Sequence, residues 1–299
     1  MSTEATRLPA RNGTGDPVRA VSVISTGSVE IHPEHAHGTK KPLYWWLLTS
    51  RRWLPPRPIN VYVVEHADGL VLFDTGQDRA SVTDPSYFPS GFAGVVYDRL
   101  AKFHIGADET LDAQLGTLGY SVNDVDKAVI SHLHQDHIGG IRQLSGDLLI
   151  TPAEWAELAG FSPEARGFLR AHIDVPGRRW KHVRFTPTDD PGLAPFTEMY
   201  DVMGDGSIVL LPTPGHTPGS MSMLVRRRDL PPLLMVGDLT YEAGLLERRQ
   251  LPGVGDRGEL GRTTDQVLAL AEHLPGLVIL PAHDPTATQR LINSSRRPV

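Results

Sequence analysis

The sequence predicts an α/β (α+β) fold with a polar site at the ends of several strands. Short apolar segments of strand length alternate with helical patterns along the 299 residues, and no internal repeat is present. Several of the strand-like segments are followed directly by histidine or aspartate. Because α/β scaffolds place functional residues on loops at strand ends, this arrangement predicts one site built from several loops. We expect residues 20–299 to form a single domain.

The individual elements follow from local patterns of apolar residues and turn residues. Strands are predicted at residues 20–25, 60–65, 70–74, 127–130, 182–185, 208–211, 221–225, 233–236 and 277–280. Helices are predicted at about residues 109–118 and 264–273, with further helix starts at residues 152 and 163. Thr151, Pro152 and Glu154 have the spacing of a capping box, and Ser162 and Pro163 open the next helix in the same way.

The composition argues against several classes of protein. The formal net charge of −6 argues against a nucleic-acid surface as the main partner site. Cysteine is absent, so no disulfide supports an oxidising destination. No apolar run approaches the roughly 18 residues that a membrane span needs. Residues 1–19 are polar and are expected to be a disordered leader. We therefore expect a cytoplasmic protein that binds neither nucleic acid nor membrane.

The most informative segment contains three histidines and one aspartate in six positions, namely His132, His134, Asp136 and His137. A lone histidine is usually a surface residue or a satisfied polar group, but this density of ligand-type side chains indicates metal binding. The segment follows a predicted strand and ends in Gly139-Gly140, a turn signal. In extended backbone His132 and His134 point to the same side, while the turn brings Asp136 and His137 to a neighbouring point. One segment could therefore serve two metal ions.

Further candidate ligands follow three other predicted strands: His216, Asp238 and His283. Imidazole and carboxylate ligands suit zinc, iron, cobalt or manganese, and without cysteine no soft ligand narrows the choice. Zinc is the default cofactor. Two such ions about 3.5 to 4 Å apart can share a hydroxide and polarise a substrate oxygen, which is the chemistry of a hydrolase.

These motifs resemble those of the metallo-β-lactamase superfamily, whose HxHxDH motif matches residues 132–137. Counterparts of the family's other marks span residues 74–283: Asp74 at a strand end, His216 within Pro-Gly-His-Thr-Pro-Gly, Asp238 and His283. The resemblance implies a four-layer αβ/βα sandwich, with two mixed β-sheets, helices outside and the metal ions at one edge. It also implies that His132, His134 and His216 bind one metal ion, that Asp136, His137 and His283 bind another, and that Asp238 bridges both. Asp74 is expected to fix the loop rather than to touch substrate.

Within this superfamily the sequence is most similar to the N-acyl homoserine lactonases. Tyr241 lies three residues after Asp238, as in those enzymes, and the spacings of 22 and 45 residues between His216, Asp238 and His283 are also similar. The resemblance implies a metal-dependent hydrolase that opens the lactone ring by attack of a metal-bridging hydroxide. Tyr241 would stabilise the oxyanion and Asp136 would return the proton. The alternative for Tyr241 is simple packing beneath a loop.

Substrate and surface assignments stay open at this point. The same metal centre could cleave another ester, a thioester or a phosphoester, because fold and metals do not fix the substrate. A binding protein without turnover is disfavoured, since every expected ligand is present. Eight apolar or aromatic side chains could line an acyl-chain channel or a homodimer interface, or pack as core and lid: Tyr44, Trp45, Trp46, Leu47, Leu48, Tyr87, Phe88 and Phe92. His32, His35 and His37 indicate an ordinary loop rather than a third metal site.

Overall fold

The computed structural model describes residues 6–9 and 15–295. In this part of the chain, the first of two sheets contains the strands β1 (Thr6–Pro9), β2 (Val18–Ile31), β3 (Arg57–His66), β4 (Gly69–Phe73), β5 (Ala101–His104), β6 (Val125–Val129), β7 (Asp147–Ile150) and β8 (Arg179–His182). Its order is β1-β2-β3-β4-β6-β7-β8, and β5 pairs with β2. The pairs from β4 through β6 and β7 to β8 are parallel and the others antiparallel, so the sheet is mixed.

The second sheet contains β9 (Thr186–Pro187), β10 (Glu198–Asp201), β11 (Ile208–Pro212), β12 (Met221–Arg227), β13 (Leu230–Gly237) and β14 (Val278–Pro281). Its order among the described residues is β14-β13-β12-β11-β10-β9. The pair of β13 and β14 is parallel and the other pairs are antiparallel, so this sheet is mixed as well.

The helices are short apart from two. They are α1 (Pro33–His37), α2 (Leu43–Thr49), α3 (Ala80–Thr83), α4 (Gly91–Leu100), α5 (Leu111–Thr117), α6 (Gln135–Ile138), α7 (Pro152–Ala156), α8 (Arg170–Ile173), α9 (Ala243–Glu247), α10 (Arg257–His273) and α11 (Ala287–Asn293). In the described segments no helix combines the length and the apolar character that a membrane crossing requires.

The two sheets pack face to face with helices on their outer sides, because successive strand residues point to opposite faces. On β3, Tyr62 and Val64 join a core that includes Met223 and Met235 of the second sheet. Val61 and Val63 instead face a second cluster that includes Leu115 of α5. The outer face of the second sheet is covered by α9 and α10, through Leu246, Leu260, Val267 and Leu270. The predicted architecture of two mixed sheets with outer helices is confirmed.

The expected disordered leader over residues 1–19 needs correction. Thr6–Pro9 form β1, which pairs antiparallel with β2, and β2 itself begins at Val18. Nε and Nη2 of Arg7 donate to the Glu65 carboxylate, at 2.7 and 2.6 Å, which ties this strand to β3. Residues 1–5 and 10–14 lie outside the described part of the chain. The single domain over residues 20–299 stays a prediction.

Other differences are local. Helix α10 begins at Arg257 and not near residue 264, because Asp256 caps its first turn by accepting a hydrogen bond from the Glu259 amide. The capping box at Thr151 is half formed: the Thr151 hydroxyl accepts from the Glu154 amide, but the Glu154 carboxylate turns to other partners. Ser162 has a positive φ of 48° and makes no side-chain cap, so residues 163–166 form only a 3₁₀ turn.

Candidate metal centre

The candidate ligands lie at the carboxyl ends of four strands, where the two sheets meet. The segment that contains His132 to His137 follows β6, and its second half forms the short helix α6. His216 follows β11, Asp238 follows β13 and His283 follows β14. Gly139 lets this segment approach the loop at residues 77–78, because a Cβ there would lie 2.1 Å from the Asp78 amide nitrogen. The predicted placement of polar residues at strand ends is therefore observed.

Three histidines form the first group of ligand atoms. The Nδ1 atom of His134 lies 3.1 Å from Nε2 of His132 and 3.0 Å from Nε2 of His216. These three nitrogens converge on one point from three directions, since the rings are nearly perpendicular in each pair that includes His134. The group has the size of a site that could hold one metal ion.

Asp136, His137 and His283 form the second group. The Nε2 atom of His283 lies 3.4 Å from Oδ2 of Asp136, and Nε2 of His137 lies 3.8 Å from Oδ1 of the same carboxylate. Their ligand atoms are also close enough together to hold one ion. Both histidines are buried, whereas the Asp136 side chain keeps 16% exposure and faces the cleft.

Asp238 lies between the two groups. Its Oδ1 atom is 3.4 Å from Nε2 of His137 and 3.3 Å from Nε2 of His283, while Oδ2 is 3.7 Å from Nε2 of His216. One carboxylate oxygen therefore faces each group, which is the arrangement expected of a bridging ligand. The structure brings all seven predicted ligand residues together.

A further set of hydrogen bonds fixes the outer side of these ligands. Nδ1 of His137 lies 2.8 Å from Oδ2 of Asp74, and the other oxygen of Asp74 accepts the Ser131 amide at 2.7 Å. Nδ1 of His283 lies 3.0 Å from the Pro58 carbonyl oxygen. Because the Nδ1 atoms of His137 and His283 are occupied in this way, their Nε2 atoms are the ones left to bind a metal. Asp74 thus has the predicted loop-fixing position and does not reach the cleft.

The protonation chemistry of this cluster fits divalent metal ions. Burial lowers the pKa of His132 and of His216 well below the ordinary histidine value, so both imidazoles are neutral lone-pair donors near pH 7. Burial opposes a charge on His137, but Asp74 and Asp238 raise its pKa well above the ordinary value. Nε2 of His137 and Oδ1 of Asp238 are buried and find no hydrogen-bond partner within the described residues. A pair of metal ions would satisfy these atoms and take the place of the proton on His137.

A cleft opens onto this cluster. Its polar end includes Asp136, Asp238, Tyr241 and His283. Its walls are mostly apolar and include Val29, Ile31, Leu43, Tyr44, Leu47, Val96, Tyr97, Leu100 and Phe103. A cleft of this kind suits a molecule with a polar reacting group and an apolar extension.

The aromatic and apolar residues singled out in the sequence lie in different parts of the structure. Tyr44 and Leu47 line the cleft, as one of the alternatives expected. Trp46 is fully buried, whereas Trp45 is 63% exposed. Tyr87 and Phe88 pack with Tyr97 in a small apolar cluster beside the cleft. The Phe92 side chain lies outside the described part of the structure, and the homodimer interface stays a prediction.

Tyr241 is buried at the polar end of the cleft, and its hydroxyl oxygen lies 3.0 Å from Oδ2 of Asp238. Burial, with the carboxylates of Asp238 and Asp136, raises the pKa of Tyr241 well above the ordinary value, so the phenol keeps its proton. The same hydroxyl lies 2.8 Å from Nε2 of His35, a residue of α1 that also lines the cleft. The sequence predicted only an ordinary loop around His35. It did not predict this contact, because nothing near His35 in the sequence indicates a partner 206 residues away.

Comparison with known proteins places this geometry in a family. The model of the metallo-beta-lactamase superfamily matches residues 54–283. The chain is 31% identical over 234 residues to the N-acyl homoserine lactonase AttM of Rhizobium radiobacter, a match that covers 77% of this chain and 83% of that protein. The resemblance to the N-acyl homoserine lactonases is therefore confirmed at the level of sequence similarity.

Solved structures agree on the fold. An N-acyl homoserine lactone hydrolase with the product N-hexanoyl-L-homoserine at its metal centre has a TM-score of 0.72 at 19% identity, covering 91% of this chain and 96% of that one. AidC, a dizinc quorum-quenching lactonase, has a TM-score of 0.61 at 16% identity, covering 95% of this chain and 92% of that one. From the family match, the sequence relative and the shared fold, this chain is a hydrolase that belongs to the metallo-beta-lactamase superfamily.

Proposed function

We propose that this protein is a dinuclear metal-dependent lactonase that opens the ring of N-acyl homoserine lactones. One observation carries the proposal: a single cleft joins the cluster of candidate metal ligands and Tyr241 to a long apolar wall. An N-acyl homoserine lactone has the matching parts, a hydrolysable ring at one end and an acyl chain at the other. The similarity to AttM, which is named as an N-acyl homoserine lactonase, supports the same substrate class.

The metal ions would be held as the clusters suggest, one by His132, His134 and His216, the other by Asp136, His137 and His283, with Asp238 shared. Zinc is the default, and iron, manganese and cobalt suit the same donors. When bound, such a pair supplies a hydroxide at neutral pH and polarises the carbonyl oxygen of the substrate. The dizinc content named for AidC supports zinc.

The chain's own groups would then position the lactone and move its protons. Tyr241 can donate a hydrogen bond from its phenol to the carbonyl oxygen as negative charge develops there, which would lower the barrier by about 2 to 4 kcal/mol. Asp136 reaches the cleft with part of its carboxylate exposed, so it can accept the proton of the attacking hydroxide and pass it to the departing ring oxygen. The apolar wall near Leu47 and Leu100 would bind the acyl chain and keep water away from the reacting end.

The test measures proton release from protein loaded with zinc, manganese or cobalt. Substrates are N-acyl homoserine lactones of short and long chain, a simple γ-lactone, a thioester and a phosphodiester. We expect fast opening of the acyl homoserine lactones, lost in His134→Ala and retained in a control, His273→Ala, whose side chain is exposed at the end of α10. Turnover of the thioester or phosphodiester without turnover of any lactone would keep the hydrolase and reject the lactonase.

A second variant tests the role of Tyr241. Replacing it with phenylalanine removes the hydroxyl and preserves the ring that stacks on His283 at a centroid distance of 5.6 Å. We expect turnover to fall by about 30-fold to 1000-fold while two metal ions per chain remain bound. Unchanged turnover would remove Tyr241 from the mechanism.

A further inference from the structure

His35 reaches the candidate site from an element far away in sequence. Its ring is buried, makes an edge contact with Tyr241 at a centroid distance of 5.2 Å, and packs near Trp46 at 5.9 Å. The backbone of α1 is held in place as well, because the His35 carbonyl oxygen accepts the Gly253 amide at 2.8 Å. The position of its Nε2 atom, 2.8 Å from the Tyr241 oxygen, is therefore defined by packing on several sides.

The hydrogen-bond geometry assigns the protons of this pair. The Tyr241 oxygen lies between Nε2 of His35 and Oδ2 of Asp238, but a phenol has only one proton to donate. Oδ1 of Asp238 lies 3.4 Å from Nε2 of His137 and 3.3 Å from Nε2 of His283, and a carboxylate that serves as a metal ligand has no proton and can only accept. The phenol must therefore donate to Asp238, and Nε2 of His35 must donate to the phenol oxygen.

Two further observations agree with this assignment. Nδ1 of His35 is buried and finds no hydrogen-bond partner among the residues that the structure describes. A neutral ring with its proton on Nε2 leaves Nδ1 as a bare nitrogen, which avoids burying an unsatisfied N–H group. Burial lowers the pKa of His35 to about 4, so the ring is neutral near pH 7.

We propose that His35 is a positioning residue that anchors the Tyr241 oxygen, so that the phenol proton can turn from Asp238 to the carbonyl oxygen of the substrate. The anchor remains intact in both orientations, because His35 donates to the oxygen and makes no use of the phenol proton. Donation from His35 also polarises the O–H bond and makes it a stronger donor. This inference rests on the proposed function, since it assigns a role within that reaction.

A cycle of variants tests the proposal through turnover. His35→Gln retains a donor that can reach Tyr241, whereas His35→Phe retains the ring shape without a donor. We expect His35→Phe to lower kcat about tenfold with KM changed less than twofold, and His35→Gln to recover most of the loss. In the Tyr241→Phe background, His35→Phe should add less than a twofold loss, because the hydroxyl that it positions is gone.

Two outcomes of the cycle would overturn the proposal. One is the same loss from His35→Phe in both backgrounds, which would show a purely structural role. The other is unchanged kcat in folded His35→Phe. If His35→Phe does not fold, His35→Asn takes its place, because its shorter side chain cannot reach the phenol oxygen while His35→Gln can.

A second measurement does not depend on turnover. Nitrogen-15 NMR of histidine-labelled protein distinguishes the two neutral tautomers of His35, whose signals are assigned by their loss in His35→Gln. We expect the proton on Nε2 in the metal-free protein and in the zinc-loaded protein, and a change of the ring nitrogen shifts in Tyr241→Phe. A proton on Nδ1 would refute the assignment. If no lactone is opened while the Nε2 tautomer is observed, the proposed function fails and the hydrogen bond stands.

Discussion

Glu154 is a fully buried carboxylate that joins two of the ligand-bearing segments. Its Oε1 atom accepts the Leu133 amide at 2.9 Å, between two candidate ligands, and its Oε2 atom accepts the Gly219 amide at 3.0 Å, just beyond His216. A Cβ on Gly219 would lie 2.2 Å from the Glu154 amide nitrogen, so glycine permits this close approach. Burial raises the pKa of Glu154 to about 7, although the two amide bonds act against that shift.

This shifted pKa predicts a specific loss of stability with rising pH. Glu154 ionises at its ordinary value of 4.5 in the unfolded chain but only near about 7 in the folded protein. Between these two values the unfolded state binds fewer protons, so the free energy of unfolding falls as pH rises. At about 1.4 kcal/mol per pKa unit, the free energy of unfolding falls by about 3 kcal/mol between these two pKa values. Above pH 7 both states are ionised and this dependence ends.

The substitution Glu154→Gln removes the titration and keeps the shape of the side chain. The assay is denaturant unfolding of metal-free protein at intervals from pH 4 to pH 8, with exposed Glu198→Gln as the matched control. We expect the stability difference between the native protein and Glu154→Gln to change by about 3 kcal/mol across the range, in the direction that favours the variant at high pH. Parallel curves for the two proteins would refute the reasoning, because they would show that Glu154 titrates alike in both states.

Three other predictions concern the metal centre and the cleft. Asp74→Asn loses an acceptor for His137, so we expect zinc affinity to fall about 10-fold to 100-fold in chelator competition, with exposed Asp68→Asn unchanged. Leu100→Trp narrows the apolar wall, so kcat/KM should fall at least about tenfold for long acyl chains and little for short ones, with exposed Val95→Trp as control. Chelation should leave a folded protein with a cooperative transition at lower temperature, and zinc at about 100 times its Kd should restore about 3 kcal/mol. Near-ultraviolet circular dichroism of the chelated protein checks this last expectation, and loss of its signal would contradict it.

The candidate ligands could be identified from the sequence, because the pattern that indicates them lies within short segments of the chain. His132 to His137 are close in the chain, and His216, Asp238 and His283 each follow a strand that is predictable from its apolar residues. Once the strands form two sheets, their carboxyl ends bring these residues together. The edge strands were harder to predict: β9 is two residues long, and β5 has an alternating half-exposed pattern with a lysine and a histidine.

The side-chain partners could not be predicted, because they depend on tertiary packing. Trp45 and Trp46 are neighbours of identical type, yet one is exposed and the other has no exposure at all. The turn of a helix separates their directions, and the sequence does not say which face α2 presents to the core. His35 illustrates the same limit at the site, since only the fold brings α1 against Tyr241.

The hydrogen bonds behind the candidate ligands suggest why the centre can be organised before metal binds. Asp74 ties the end of β4 to the Ser131 amide, and Glu154 ties the Leu133 amide to Gly219. Asp284, next to His283, makes the same kind of link: it accepts the Ala243 amide at 2.9 Å and the Thr286 amide at 2.7 Å. Each of these buried carboxylates links a ligand-bearing segment to a neighbouring one through backbone N–H groups, which do not depend on a metal ion. The rigidity of the ligand positions therefore comes from the outer side of the site, and this leaves the inner nitrogen and oxygen atoms free for metal binding.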